Sequence, residues 1–253
     1  MRRFWLEPQD WKDEQIEIGG DLFHHLIDVC RFEVGDRFEL LSTGQAASVQ
    51  VISRDKRQIS VRRIESRTIS EMPRPHIHLA LSLPRFPKVD WIVEKSVELG
   101  IQGVHPFVSE YSFVRKVNEV PEAKIDRWRK LVRQASQQSG RGTLMSIEAA
   151  TTLPSLLAAV NQKPKVLCLF PYEGDCQVSL RQRLKGLKPS DYQEVWFFVG
   201  SEGGFSRAEV EQFKAAGIEP VSLGNQVLRV ETACLALASI LKYVFEVTEH
   251  GSI

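Results

Sequence analysis

The chain has no apolar run near the length of about 18 residues that a membrane helix needs. Residues 1–10 are polar and aromatic, without the apolar centre of a secretory leader. The expectation is therefore a cytoplasmic protein with no membrane partner. Cysteine is scarce. Cys30, Cys168, Cys176 and Cys234 are scattered and form no CxxC pair, which argues against a metal or a disulfide framework. A charge imbalance is also missing: the net charge is +1 over 253 residues, so only local clusters can point to a partner. Neither phosphate-cradling fingerprint, G-x-G-x-x-G or G-x-x-x-x-G-K-[ST], occurs. Internal repeats and low-complexity tracts are absent as well.

What remains is an ordinary composition, 43% hydrophobic and 26% charged, able to build a substantial core. The pattern changes near residue 72. Upstream, short β-type runs at 38–41, 47–52 and 59–64 are separated by turn signals, which predicts a small barrel. One helix is expected over 21–30, with Leu22, Leu26, Ile27 and Cys30 on a common face. Pro73 and Pro75 then interrupt any regular element, so two domains are expected, 1–72 and 73–253. Downstream, strands at 77–81, 104–108, 166–170 and 195–199 alternate with helices at 89–99 and 125–139. Such alternation predicts an α/β fold, a mainly parallel sheet covered by helices on both faces. Ser206 and Glu209 form a capping box opening a helix that closes at Gly217. A last helix over 232–247 aligns Cys234, Leu237, Ala238, Leu241, Val244 and Phe245.

Two loops stand out against this background. Residues 199–205 read Val-Gly-Ser-Glu-Gly-Gly-Phe after the most apolar strand, and residues 223–233 read Leu-Gly-Asn-Gln-Val-Leu-Arg-Val-Glu-Thr-Ala. Glycine lets backbone approach a ligand closely, and open α/β sheets bind ligands at such strand ends. A plain strand-to-helix turn is the alternative for Gly203-Gly204 alone; the pairing of the two loops favours a ligand. Basic residues cluster at Arg2-Arg3 beside Phe4 and Trp5, along 54–67, and along 115–141. RNA phosphates and bases suit such clusters, with a solvated charged face as the competing reading.

The loops resemble those of the SPOUT superfamily of S-adenosylmethionine-dependent RNA methyltransferases, and most nearly the ribosomal RNA small subunit methyltransferase E family. Gly200-Ser201-Glu202-Gly203-Gly204 matches that family's Gly-Pro-Glu-Gly-Gly. Leu223-Gly224 with Val227-Leu228-Arg229-Val230-Glu231-Thr232-Ala233 matches its Leu-Gly…Ile/Val-Leu-Arg-Thr-Glu-Thr-Ala. Lys88 leads a helix ending in Glu98-Leu99-Gly100, and Ala135 to Arg141 matches an Ala-x-Glu-Gln-x-x-Arg helix end. Arg3-Phe4-Trp5 resembles the start of the family's PUA-like barrel. Three departures are Ser201 for proline, Val230 for threonine and Gln137 for glutamate; none removes a glycine.

The resemblance implies a SPOUT-type trefoil knot in the last segments, a homodimer, and S-adenosylmethionine held in the knot. It also implies methyl transfer to N3 of a uridine in small-subunit rRNA, either as free RNA or in the 30S particle. It assigns the cofactor to Val199, Gly200, Glu202, Gly203, Leu223, Gly224, Val227, Leu228, Glu231, Thr232 and Ala233. Because N3 must lose a proton, Arg229 and Arg141 are the candidate catalytic residues, as stabilisers of the resulting anion. A structural bond from Arg229 to loop carbonyls is the alternative. Candidate RNA contacts are Arg3, Arg31, Arg62 and Arg63 in the N-terminal part, and Lys88, Arg133 and Arg141 beyond it. No metal is expected.

Overall fold

A computed structural model describes residues 1–11 and 14–247. It divides into two compact units. The first holds Met1–Glu71 and Arg133–Leu144, and the second holds Met72–Val132 and the described residues from Met145. The long helix α3 (Glu122–Ser139) contributes to both, and a short helix α5 (Leu180–Leu184) lies within the second.

The first unit is a five-stranded sheet of β1 (Arg3–Trp5), β2 (Gln15–Gly19), β3 (Arg37–Ser42), β4 (Gln45–Arg54) and β5 (Gln58–Thr68). The ladder runs β1-β3-β4-β5-β2, with β1 parallel to β3 and the other pairs antiparallel. Alternate residues Val49, Val51, Ile59 and Val61 point inward with Phe38 and Leu40, the period-2 pattern of a half-buried sheet. A short helix α1 (Gly20–His24), continued by a wider turn over His25–Val29, lays Phe23, Leu26 and Ile27 on that core. Strands β4 and β5 are longer than the apolar runs 47–52 and 59–64 predict. Their outer ends are polar and are held by pairing rather than by burial.

The second unit is an eight-stranded sheet whose pairs are parallel. Its strands are β6 (His76–Ser82), β7 (Gly103–Val108), β8 (Ser146–Ile147), β9 (Thr151–Thr152), β10 (Val166–Pro171), β11 (Val178–Ser179), β12 (Glu194–Val199) and β13 (Pro220–Ser222). The order is β11-β13-β10-β12-β6-β7-β8, with β9 also on β7. Central β12 (Val195-Trp196-Phe197-Phe198-Val199) is buried throughout, as a parallel strand covered on both faces must be.

Trp196 and Phe198 face a core shared with α4 (Leu153–Asn161) and α6 (Arg207–Ala215), where Phe170 and Phe213 stack at 4.1 Å. Successive strand residues alternate in direction, so Val195 and Phe197 face the other way. There α7 (Val230–Lys242) packs on β6, β12 and α2 (Phe86–Glu98). The capping box at α6 forms as its residues dictate. Ser206 Oγ accepts from the Glu209 amide at 3.3 Å, and Glu209 Oε2 accepts from the Ser206 amide at 2.9 Å. Among the described residues no helix is long and apolar enough to cross a membrane.

Candidate functional site

Because β10, β12 and β13 are parallel neighbours, their following loops emerge at one end of the sheet. There they enclose a cavity of about 470 Å³. Its walls are Pro171–Glu173 after β10, Val199–Phe205 (Gly203 excepted) after β12, and Leu223–Ala233 (Thr232 excepted) after β13, with Lys88 of α2. Gly200 must lack a side chain here, since a Cβ would lie 2.9 Å from the Gly204 backbone. Gly204 has φ +67° and faces Glu173, and Gly224 has φ +120°, conformations that glycine adopts without strain.

Leu223, Val227, Leu228 and Ala233 supply apolar surface, and Val227 is 81% exposed. The charged groups are Glu173, Glu202 and Glu231 against Lys88 and Arg229. Lys88 Nζ stands 3.4 Å from both Glu202 Oε1 and Glu231 Oε2. The Glu231 oxygen is buried and makes no hydrogen bond despite that ion pair. Burial pushes the Glu202 carboxyl up. Amide hydrogen bonds from its own backbone and from Arg85, with the Lys88 cation, outweigh this and hold it below its ordinary value. Arg229 is the N-cap residue of α7 and is exposed; among the described residues its guanidinium has no ion pair or hydrogen bond.

Of the eleven residues read as cofactor-binding, Val199, Gly200, Glu202, Leu223, Gly224, Val227, Leu228, Glu231 and Ala233 line this cavity, as does Arg229. Thr232 and Gly203 do not; a Cβ on Gly203 would meet Tyr111 Cβ at 2.7 Å instead. Asn225 and Gln226 line the cavity from within the second loop, and Tyr172 and Glu173 line it from outside both loops. Glu173 and Tyr172 follow an ordinary strand and carry no motif.

In the first unit, Arg141 is 8% exposed, its Nε 3.5 Å from Thr143 Oγ1. Arg3 donates to Glu39 at 2.8 Å and to the Gln138 carbonyl at 3.1 Å. Arg133 pairs with Glu7, while Arg63 lies over the Trp11 ring at 5.1 Å. Arg31 and Arg62 are exposed. Along 115–141 the positive charge is partly neutralised, because Arg127 pairs with Asp90 at 2.9 Å and Arg129 with Asp126 at 3.1 Å. Among the described residues no group of three His, Cys, Asp or Glu is arranged for a metal.

Residues 70–242 match the RNA methyltransferase domain family, and residues 18–62 match the RNA methyltransferase PUA domain. The fold is thus that of an RNA methyltransferase domain preceded by PUA-like β-structure. Ribosomal RNA small subunit methyltransferase E of Aquifex aeolicus is 30% identical, covering 84% of this chain and 88% of its own. The Bacillus subtilis protein of the same name is 28% identical over 97% of this chain and 98% of its own. The chain belongs to the ribosomal RNA small subunit methyltransferase E family. A crystal structure of such a protein from Neisseria gonorrhoeae, bound to S-adenosyl methionine, superposes with a TM-score of 0.83. It is 25% identical, over 97% of this chain and 98% of its own.

Proposed function

We propose that this protein transfers the methyl group of S-adenosylmethionine to N3 of a uridine in small-subunit rRNA. The observation that carries the reading is the fit between cavity and cofactor. S-adenosylmethionine has a sulfonium and an ammonium against one carboxylate, and the cavity offers three carboxylates against two cations. Leu223, Val227, Leu228 and Ala233 make a slot suited to adenine, with loop backbone groups for its edge. The cofactor carries no phosphate, in keeping with the missing phosphate fingerprints. The Neisseria relative, crystallised with this cofactor, supports the same reading.

The bound cofactor would supply an electrophilic methyl: the S–CH3 bond breaks, an N3–CH3 bond forms, and a neutral thioether remains. The protein has to manage the other partner. Uridine N3 is protonated and unreactive at neutral pH, so its proton must leave to solvent and the anion must be stabilised. Arg229 is suited to that task. Its guanidinium stays charged, is unpaired among the described residues, and projects from the positive end of α7. Glu202 and Glu231 would hold the cationic end of the cofactor, with Lys88, 3.4 Å from each, keeping the two carboxylates together.

Arg31 and Arg62, both exposed, and Lys88 are the proposed RNA contacts. Arg3, Arg63, Arg133 and Arg141 are proposed in the same role, acting from within their present pairings. Helices α2 and α7 pack together and expose Trp91 and Ile240, with Tyr243 exposed just beyond α7, surface that a homodimer would cover. We further propose the family's trefoil knot in the last segments.

Mass spectrometry of small-subunit rRNA tests the activity. A strain lacking this protein should lose one 3-methyluridine, and the wild-type gene but not Arg229→Ala should restore it. Unchanged methylation in the deletion strain would overturn the proposal.

A further inference from the structure

A second cavity, of about 430 Å³, adjoins the first and shares Lys88 and Glu202 with it. Its other walls are Arg85, Tyr111, Ser112, Phe113 and Arg115. The charge balance is reversed: three cations stand against the single carboxylate of Glu202. Arg85 and Arg115 are exposed, and among the described residues their guanidinium groups have no partner. Tyr111 and Phe113 are 43% and 53% exposed, two large rings lining this cavity.

That segment is prebuilt. The hydroxyls of Ser82, Ser109 and Ser112 bond one another at 2.6–3.1 Å, and the Phe113 amide donates to the Leu83 carbonyl at 2.8 Å. Glu209 Oε1 accepts from the Glu110 amide at 2.8 Å, tying it to α6. Phe113 rests edge-on against Phe86 at 5.5 Å. The segment is also fastened to the glycine loop of the first cavity. Ser201 Oγ donates to the Tyr111 carbonyl at 2.6 Å, and the backbone of Gly203 passes against the Tyr111 side chain. Ser201 replaces the family's proline, so here a hydrogen bond does the bracing.

Exposed rings on a fixed backbone, flanked by unpaired guanidinium groups, fit a single-stranded nucleotide. Its base stacks on aromatic faces and its phosphates take cations. We propose that this second cavity seats the target nucleotide of the RNA. Tyr111 and Phe113 are its stacking surfaces, Arg85 and Arg115 hold the flanking phosphates, and Lys88 marks the opening to the cofactor cavity. The inference rests on the methyltransferase reading above. It adds the aromatic residues and the arginines that the glycine motifs do not contain.

The test compares the full-length wild type with Phe113→Ala, Arg85→Ala, Arg115→Ala and Arg115→Lys. Anisotropy would follow binding of a fluorescein-labelled oligouridylate, and KM and kcat would be measured on unmethylated small subunits. Adenosylhomocysteine affinity reports the first cavity and the fold. Phe113→Ala should weaken RNA binding roughly 5- to 150-fold, the range for one lost base–aromatic stack. Arginine removal should raise KM and lower the salt slope of binding by about one per residue, and Arg115→Lys should restore most of the loss. Adenosylhomocysteine affinity should stay at the wild-type value. Phe113 and Arg115 variants with wild-type RNA affinity and KM would overturn the inference. So would a change in oligomer mass in place of RNA affinity, which would make the rings a contact between copies. Failure of the wild type to bind adenosylhomocysteine would instead strike the methyltransferase reading.

Discussion

The two ends of the parallel sheet are built on opposite rules. At the amino-terminal end of β6, β7 and β12, side chains satisfy one another. Trp196 stacks on His78 at 4.7 Å, and His78 Nδ1 meets His105 Nε2 at 3.1 Å. Trp196 Nε1 donates to Glu194 at 2.7 Å, and Lys163 pairs with the same carboxylate at 2.9 Å. At the carboxyl-terminal end, Arg85, Arg115 and Arg229 keep guanidinium groups that are unpaired among the described residues, and a buried Glu231 oxygen makes no hydrogen bond there. A buried polar oxygen without a hydrogen bond costs stability that a ligand can restore, while exposed guanidinium groups are hydrated and free to bind, so the contrast sets a closed structural end against an open candidate site.

Breaking the open end should remove function and leave the fold. The largest effect is expected for Gly200→Val, whose side chain would press on the Gly204 backbone and fill the cavity mouth. Adenosylhomocysteine affinity should fall by more than about 100-fold, or ~2.8 kcal/mol, with the circular dichroism spectrum retained. Preserved affinity would remove the cofactor from this cavity. Next comes Arg229→Ala. The rate of single-turnover methyl transfer should drop by about 10²–10³, as for loss of one anion-stabilising donor, while cofactor affinity changes only a few-fold. An equal loss of both would make Arg229 a structural residue.

The closed end should answer to pH. Burial lowers His78 to about 4 and His105 to about 3, against 6.5 for an ordinary histidine. Above pH 6.5 neither state binds these protons and the pair leaves stability unchanged. As pH falls below 6.5 the unfolded chain takes up protons that the folded chain refuses, so stability declines down to the folded values. The loss should be on the order of a few kcal/mol. Urea unfolding across this range would show it. His105→Gln should flatten the acid limb and leave adenosylhomocysteine affinity alone; a slope unaltered by that change would mean the pair is not the cause.

The same contrast explains what the sequence reveals. Strands such as β6 and β12 are legible because burial on both faces demands unbroken apolar runs, and α6 because its capping box is local. Strand β1 has only three residues, and the first residues of β2 alternate as Gln-Ile-Glu-Ile, so neither forms an apolar run. Helix α4 is signalled locally, by Thr152 at its N-cap, Pro154 in its first turn and Leu153, Leu156, Leu157 and Val160 at helical spacing, although no strand-and-helix alternation announces its place against the sheet. That β13 pairs with β10 is a tertiary fact with no local sign. The first cavity is legible where glycine is obligatory, at Gly200, Gly204 and Gly224, and illegible at Tyr172 and Glu173, which reach it through strand register. The second cavity gathers residues from three separate stretches, 85–88, 111–115 and 202, and no short motif can announce such a site.

The most direct test of the account is a calorimetric titration of adenosylhomocysteine into the full-length protein. Saturable binding of one molecule per chain is expected, weakened by more than about 100-fold in Gly200→Val. A well-folded wild-type protein that releases no binding heat, and shows no thermal stabilisation by the ligand, would contradict it.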